Sequence, residues 1–391
     1  MPHPIIENLA PVAALRRLSP GETPRVSNME LFFDLVYVFA IIQLSHFLLA
    51  HETWLGAFEG LILFAAVWWA WNYTAWATNW LDTNHHRGRM LMAVLMACAL
   101  LMAAAMPEAY GDRALLFAGA YVAMALIRAG YMACLFRGQA MGRNYGQLFA
   151  WGVVSGLFWI AGALLPEQRL ALWLIAVLID YIAPYLGFWL PGRGATDMTS
   201  WPLRGLHLLE RNQQIFIIAL GESILLIGGL LVQNELGFDV LLATMIGFAL
   251  IVSLWWIYFV HLTEIGEHRF EHATDHAQLA RAGLAYAHGL MICGTIVMAV
   301  AIELIVAHPH GHVSMPMALI AFFGPTIFLT GSAVFHHIMA ERMPLSYLAA
   351  ILALALWCWI ALRLNGEWLG AGILAVMVTL VALSHRKGGA K

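Results

Sequence analysis

The sequence predicts an all-α, polytopic membrane fold of about twelve transmembrane helices in two parallel six-helix repeats. Three observations lead there. Of 391 residues, 62% are hydrophobic and only 11% charged, more apolar surface than a water-soluble chain of this size could hide. Twelve apolar runs of roughly 18 to 25 residues are each long enough to cross a ~30 Å hydrocarbon core. The two halves also answer one another at offsets of about 190 to 200 residues. Val67-Trp68-Trp69-Ala70-Trp71 pairs with Leu254-Trp255-Trp256-Ile257-Tyr258, and Trp159-Ile160-Ala161 with Trp359-Ile360-Ala361. Leu174-Ile175-Ala176-Val177 pairs with Ile373-Leu374-Ala375-Val376. Six spans per half is an even number, so duplicated halves keep one topology about an axis along the membrane normal.

In order, the runs fall near 29–50, 54–78, 89–107, 113–135, 147–165, 169–190, 212–232, 238–261, 282–306, 315–338, 345–363 and 367–384. Short connectors such as His51-Glu52-Thr53 and Pro107-Glu108 make most neighbours antiparallel hairpins, and the longer links are 191–211 and 262–281. The expected parts are a cytoplasmic tail 1–28, a first repeat 29–190, a cytoplasmic linker 191–211, a second repeat 212–384 and a cytoplasmic tail 385–391. Orientation follows from the basic residues. The N-terminal side carries sixteen Lys and Arg, the opposite side only Arg113, Arg169 and Arg363, and Arg128 lies inside the fourth span. By the positive-inside rule both termini are cytoplasmic. The first 29 residues contain no apolar h-region, so no cleavable signal peptide is expected and the mature chain should begin at or near Met1. Cys98, Cys134, Cys293 and Cys358 lie in apolar runs without C-x-x-C spacing and read as small core residues. The net charge of −3 says nothing about partners, but no basic domain for nucleic acid is present, and the lipid bilayer is the expected partner.

The residues that carry chemistry are the charges placed where charge is costly. Glu30 and Asp34, at the mouth of the first run, are four apart and share a helix face. Glu222, followed by Ser223, lies about ten residues into its run, roughly 15 Å deep. The repeat alignment sets it against Asp34. Either it is functional or it is a structural Glu bonded to a neighbouring helix. Asp180 precedes Pro184 by four, so its carbonyl loses a helical partner, and one residue offers a carboxyl and a freed carbonyl. A proline kink with a satisfied Asp is the alternative. Arg128 needs an anionic partner, and a structural lock with Glu30 or Asp34 is expected, with a substrate-anion role as the alternative. His288 and Glu303 are candidates for a buried network with Glu222. His268, His272 and His276 are spaced by four, which puts three imidazoles in one stripe that could bind metal or sense pH. The bland reading of that stretch is an amphipathic cytoplasmic helix. His308-Pro309-His310-Gly311-His312, on an outside loop, could bind metal weakly, while His85-His86 and His336-His337 read as interface residues. No nucleophile elbow, phosphate loop, zinc-protease or dinucleotide motif is present, so no catalytic residue is assigned and no cofactor is expected.

Glu30-Leu31-Phe32-Phe33-Asp34-Leu35-Val36-Tyr37-Val38-Phe39-Ala40-Ile41 closely resembles the first signature of the bacterial low-temperature-requirement protein A family. Glu210-Arg211 followed by Ile217-Ile218-Ala219-Leu220-Gly221-Glu222-Ser223-Ile224 resembles its second. Trp255-Trp256-Ile257-Tyr258-Phe259, Tyr286-Ala287-His288 and Glu303 look like further family segments, and the resemblance covers roughly residues 25–385. Where members often carry an Asp after Trp-Trp-x-Tyr-Phe, this chain has Val260. The resemblance implies a bacterial inner-membrane location and a link to cold growth, and it implies no settled activity. Phe32-Phe33-Asp34-Leu35-Val36 and the two repeats also resemble the two-repeat endolysosomal potassium channels, although Asn28 stands where that family has Arg and Phe33 where it has Ser. The reading that follows is a proton- or cation-coupled transporter, or an ion pathway, built on Glu30, Asp34, Arg128, Asp180, Glu222, Ser223, His288 and Glu303. Its substrate is left unknown, a small ion or a small molecule being compatible with the reading. The alternatives are a structural or stress-response membrane protein and an intramembrane enzyme, and a homo-oligomer is left open.

Overall fold

The computed structural model describes residues 15–16, 25–197, 200–233 and 237–388, so most of the expected tails, 1–28 and 385–391, lies outside the described residues. Among those residues the chain forms twelve helices. They are α1 (Asn28–Ala50), α2 (Trp54–Trp80), α3 (His86–Ala105), α4 (Ala114–Leu135), α5 (Ala140–Leu164) and α6 (Arg169–Ile182). They continue as α7 (Gly205–Gln233), α8 (Phe238–His272), α9 (His276–Ala307), α10 (Met315–Ala340), α11 (Leu345–Ala361) and α12 (Gly366–Gly388). Ten of them are long and apolar enough to cross a membrane. The starts follow capping chemistry: the Ser27, Thr53 and Ser314 side chains accept the backbone N–H of Glu30, Gly56 and Met317.

Helices α5 and α9 start earlier than expected, at Ala140 and His276, and three further boundaries differ for a physical reason. Helix α7 begins at Gly205 rather than at 212, because its first turns bury His207 and Arg211 against polar partners instead of leaving them in a linker. Helix α8 runs on through the expected link to His272 by way of a π-helical turn, Ile257–Leu262. Helix α6 stops at Ile182 after 14 residues, roughly 21 Å of rise and short of a full core. There Pro184 and the positive φ of Gly187 and Phe188 turn the chain.

Two compact units divide the chain, the first comprising Met1–Arg211 and Thr274–Ala280, the second Asn212–Ala273 and Arg281–Lys391. In the first, α1 packs on α2 and α3, α3 on α4, α4 on α5, and α5 on α6, while α2 also meets α4 and α6. Helix α2 is mostly exposed over its first two turns and almost wholly buried from Ile62 to Trp80, including Trp68, Trp69 and Trp71. Helix α1 shows the inside-out pattern of a membrane protein. Glu30, Phe33, Asp34 and Tyr37 point inward while Leu31, Phe32 and Leu35 are exposed.

In the second unit α9 and α10 form the closest pair. Glycine permits it. A Cβ at Gly294 would collide with the Phe328 backbone, and one at Gly324 would sit 2.8 Å from the Met298 N and Cα.

Candidate functional site

The first unit gathers its charges at the start of α1. Glu30, the third residue of α1, closes a capping box with Ser27: its Oε2 accepts the Ser27 N–H at 2.9 Å, so the helix start fixes the carboxylate. The same oxygen pairs with Arg16 at 2.8 Å, and Oε1 faces Arg211 Nη1 at 3.3 Å and His207 Nε2 at 3.2 Å. One turn on, Asp34 receives the Arg211 fork, Nε to Oδ2 at 3.2 Å and Nη2 to Oδ1, while Trp71 Nε1 donates to Oδ1 at 2.8 Å. Arg211 also donates to Thr78 Oγ1 at 3.0 Å and lies over the Trp71 ring. Glu30, Asp34, His207 and Arg211 are all fully buried.

A backbone contact sets the tautomer of His207. The Arg204 N–H donates to Asn79 Oδ1 at 2.9 Å and its carbonyl accepts from Asn79 Nδ2 at 3.0 Å, which orients the amide. Nδ2 then donates to His207 Nδ1 at 3.2 Å, so the proton of a neutral ring sits on Nε2, toward Glu30. Two carboxylates meet two guanidinium groups, and with His207 neutral the cluster carries no net charge.

Arg128 is not the partner of Glu30 or Asp34, and the expected lock is corrected. Its guanidinium donates to the Ala70 carbonyl at 3.1 Å and Thr74 Oγ1 at 3.0 Å and lies over the Tyr73 ring. Arg211 takes the carboxylates because α7 starts about two turns earlier than hydropathy indicates. The Glu210-Arg211 pair in the second signature was the one available signal.

Asp180 sits in a different environment. Its Oδ2 accepts from Tyr121 Oη at 2.7 Å and Trp159 Nε1 at 3.3 Å, with the Ser155 hydroxyl a further partner. All three donors are neutral. The carbonyl freed by Pro184 is taken by Trp69 Nε1 at 3.0 Å. The turn beyond α6 is held by Gln147, whose Nε2 reaches the Phe188 and Gly194 carbonyls at 3.1 and 2.7 Å.

In the second unit Glu222 and Ser223 are buried on α7, and the Ser223 hydroxyl bonds the Ala219 carbonyl at 3.4 Å. His288 is fully buried, with both nitrogens engaged: Nδ1 with the Gly283 carbonyl at 3.1 Å, Nε2 with Tyr258 Oη at 2.7 Å. Nδ1 must donate to a carbonyl, so Nε2 accepts from the tyrosine. His288 therefore does not join Glu222 or Glu303, contrary to the expected network. Both ends of this bond rest on π-helical turns, Ile257–Leu262 carrying Tyr258 and Ala280–Ala287 leading into His288. Glu303 is half-buried on α9. The three-histidine stripe is interrupted. His268 and His272 stack at 4.6 Å, but the helix ends at His272, and His276 accepts from the Gly205 N–H at 3.2 Å.

The bacterial low temperature requirement A protein family, LtrA, matches residues 25–382, nearly the whole chain. The chain belongs to the LtrA family. A Rhizobium meliloti (strain 1021) relative described as an uncharacterized protein is 34% identical over 341 residues, 86% of this chain and 83% of its own length. No solved structure matches the chain. In this LtrA chain both signatures converge: the first supplies Glu30 and Asp34, the second Arg211 as their partner and Glu222 eleven residues on.

Proposed function

We propose that this LtrA protein is a membrane transport protein in which buried carboxyls carry a proton or a small cation. The observation that carries the reading is Asp180. Its hydrogen-bond donors are neutral hydroxyl and indole groups and the Arg128 charge acts on it only from beyond contact distance, so it can take up and release a proton without breaking a contact ion pair, which Glu30 and Asp34 cannot do. The interrupted helix supports it. Helix α6 ends two residues beyond Asp180 in a turn stabilised by Gln147, and non-helical backbone within a membrane is tolerated where it is enclosed by protein or lines a water path. Glu222, which the proposed parallel duplication sets against Asp34, is the carboxyl of the second unit that could act in the same way. Glu30, Asp34 and Arg211 form the static wall.

The test is flux. The full chain, reconstituted in liposomes with ion- and pH-sensitive dyes inside, is given imposed potassium, sodium and proton gradients. Proton or cation movement should appear in the wild type and fall at least about tenfold in Asp180→Asn, whose loss of the titrating proton leaves the shape intact. No movement of any ion tested, or full movement in Asp180→Asn, overturns the reading. The structural alternative is favoured by the charge-balanced cluster, and it predicts that same silence.

A further inference from the structure

The loop His308-Pro309-His310-Gly311-His312 leads to a cluster outside the transport reading. Asp239 opens α8, Glu367 opens α12, and His310 lies between α9 and α10. One ligand atom from each lies within 4.8 Å of the others, and His310 Nε2 is 2.8 Å from Asp239 Oδ2. We propose that Asp239, His310 and Glu367 form a binding site for a divalent transition-metal ion of the zinc class.

Three arguments support the assignment. The first is donor chemistry. One imidazole and two carboxylates are a standard borderline set, and their two negative charges cancel the ion's two positive ones. Three protein ligands leave a position open to water or a bound molecule.

The second is size. Ligands on one tetrahedral ion at about 2.0–2.1 Å stand roughly 3.3 Å apart. The His310–Asp239 pair needs to open by a few tenths of an ångström and Glu367 to close by no more than about 1.5 Å, both side-chain motions.

The third is preorganisation. The Glu367 N–H donates to the Pro309 carbonyl at 3.1 Å and the Gly366 N–H to the Gly311 carbonyl at 3.2 Å. The Val313 N–H donates to the Leu364 carbonyl at 3.2 Å. The histidine loop and the start of α12 are thus one backbone-bonded piece, so the main chain sets the separation of the His310 and Glu367 backbones and only the side chains have to adjust. Each carboxylate also sits in the first turn of its helix, where the backbone dipoles favour the ionised form that a metal needs.

The chemically bland account of the same geometry is an ion pair between His310 and Asp239 with Glu367 as a bystander. Isothermal titration of ZnCl2 into chelator-stripped, detergent-solubilised full chain separates the two. One saturable equivalent is expected, with a rise in melting temperature. Glu367→Gln and His310→Ala should each weaken binding by about tenfold or more. A His268→Ala/His272→Ala variant, which removes a stacked, exposed imidazole pair outside the cluster, should bind as wild type does. Glu367→Gln keeps the side chain's shape and the backbone bonds, so it remains decisive should His310→Ala fail to fold. Unchanged affinity in Glu367→Gln, loss of the equivalent in the His268/His272 variant, or no saturable binding overturns the site.

Discussion

Arg211 makes four of its five possible hydrogen bonds inside the first unit, to Glu30, Asp34 and Thr78, with no exposure to solvent. Removing it leaves two buried carboxylates facing one remaining arginine, Arg16, and an uncompensated buried charge costs about 3–5 kcal/mol. Arg211→Met should therefore lower the detergent melting temperature sharply. Asp34→Leu in the same background leaves Glu30 with Arg16 and should restore at least half of the loss. If the two substitutions simply add, the pairing does not hold the fold. The sequence exposed half of this arrangement. Two acids four apart in an apolar run require a basic partner, and that much is chemistry. Which arginine it would be was hidden, because His207, Glu210 and Arg211 make the first turns of α7 look like a loop by hydropathy. Once paired, those charges no longer oppose burial, and the helix extends through them. Arg169 hid in the same way: counted as a basic residue outside the membrane, it is buried and donates to the Gly162, Ala163 and Tyr110 carbonyls.

Pairs of helices raise questions that single residues do not. Tyr258 and His288 meet because two π-helical turns rotate each side chain out of its α-helical register, and a one-residue widening of a turn leaves no mark on hydropathy. Tyr258 also stacks on Phe216 at 3.9 Å between ring centroids. Tyr258→Phe keeps the ring but strands the buried His288 Nε2, which should cost about 1–3 kcal/mol in a thermal or urea unfolding series. A melting point equal to wild type would mean the imidazole finds another donor. The α9–α10 pair depends on the opposite property, the absence of side chains. Gly294→Ala would drive a methyl into the Phe328 backbone, forcing the helices apart at about 1–3 kcal/mol. Gly221, with nothing near its Cβ position, should accept alanine with little loss of stability.

Across the whole chain the open question is which helices cross. Ten are long enough, and the apolar runs that showed this are the most legible feature of the sequence, because a core of ~30 Å demands about twenty residues whatever the packing. Helices α6 and α11, with 14 and 17 residues, fall short, and parity depends on them. If both cross, aided by the turn after Ile182 and by the Leu362–Leu364 stretch after α11, the total is twelve and the termini share a side. The basic residues then place that side in the cytoplasm. Reporter fusions after Gly192 and after Arg386 should read cytoplasmic, and one after His310 should read external. Should α6 instead dip into the membrane and return, the Gly192 reporter moves to the outside. Such a result breaks the even six-span half, and with it the parallel duplication on which Glu222 is paired with the acids of the first half. It leaves Asp180 in a re-entrant segment, so the reporter after Gly192 and the flux of Asp180→Asn test different parts of the transport reading.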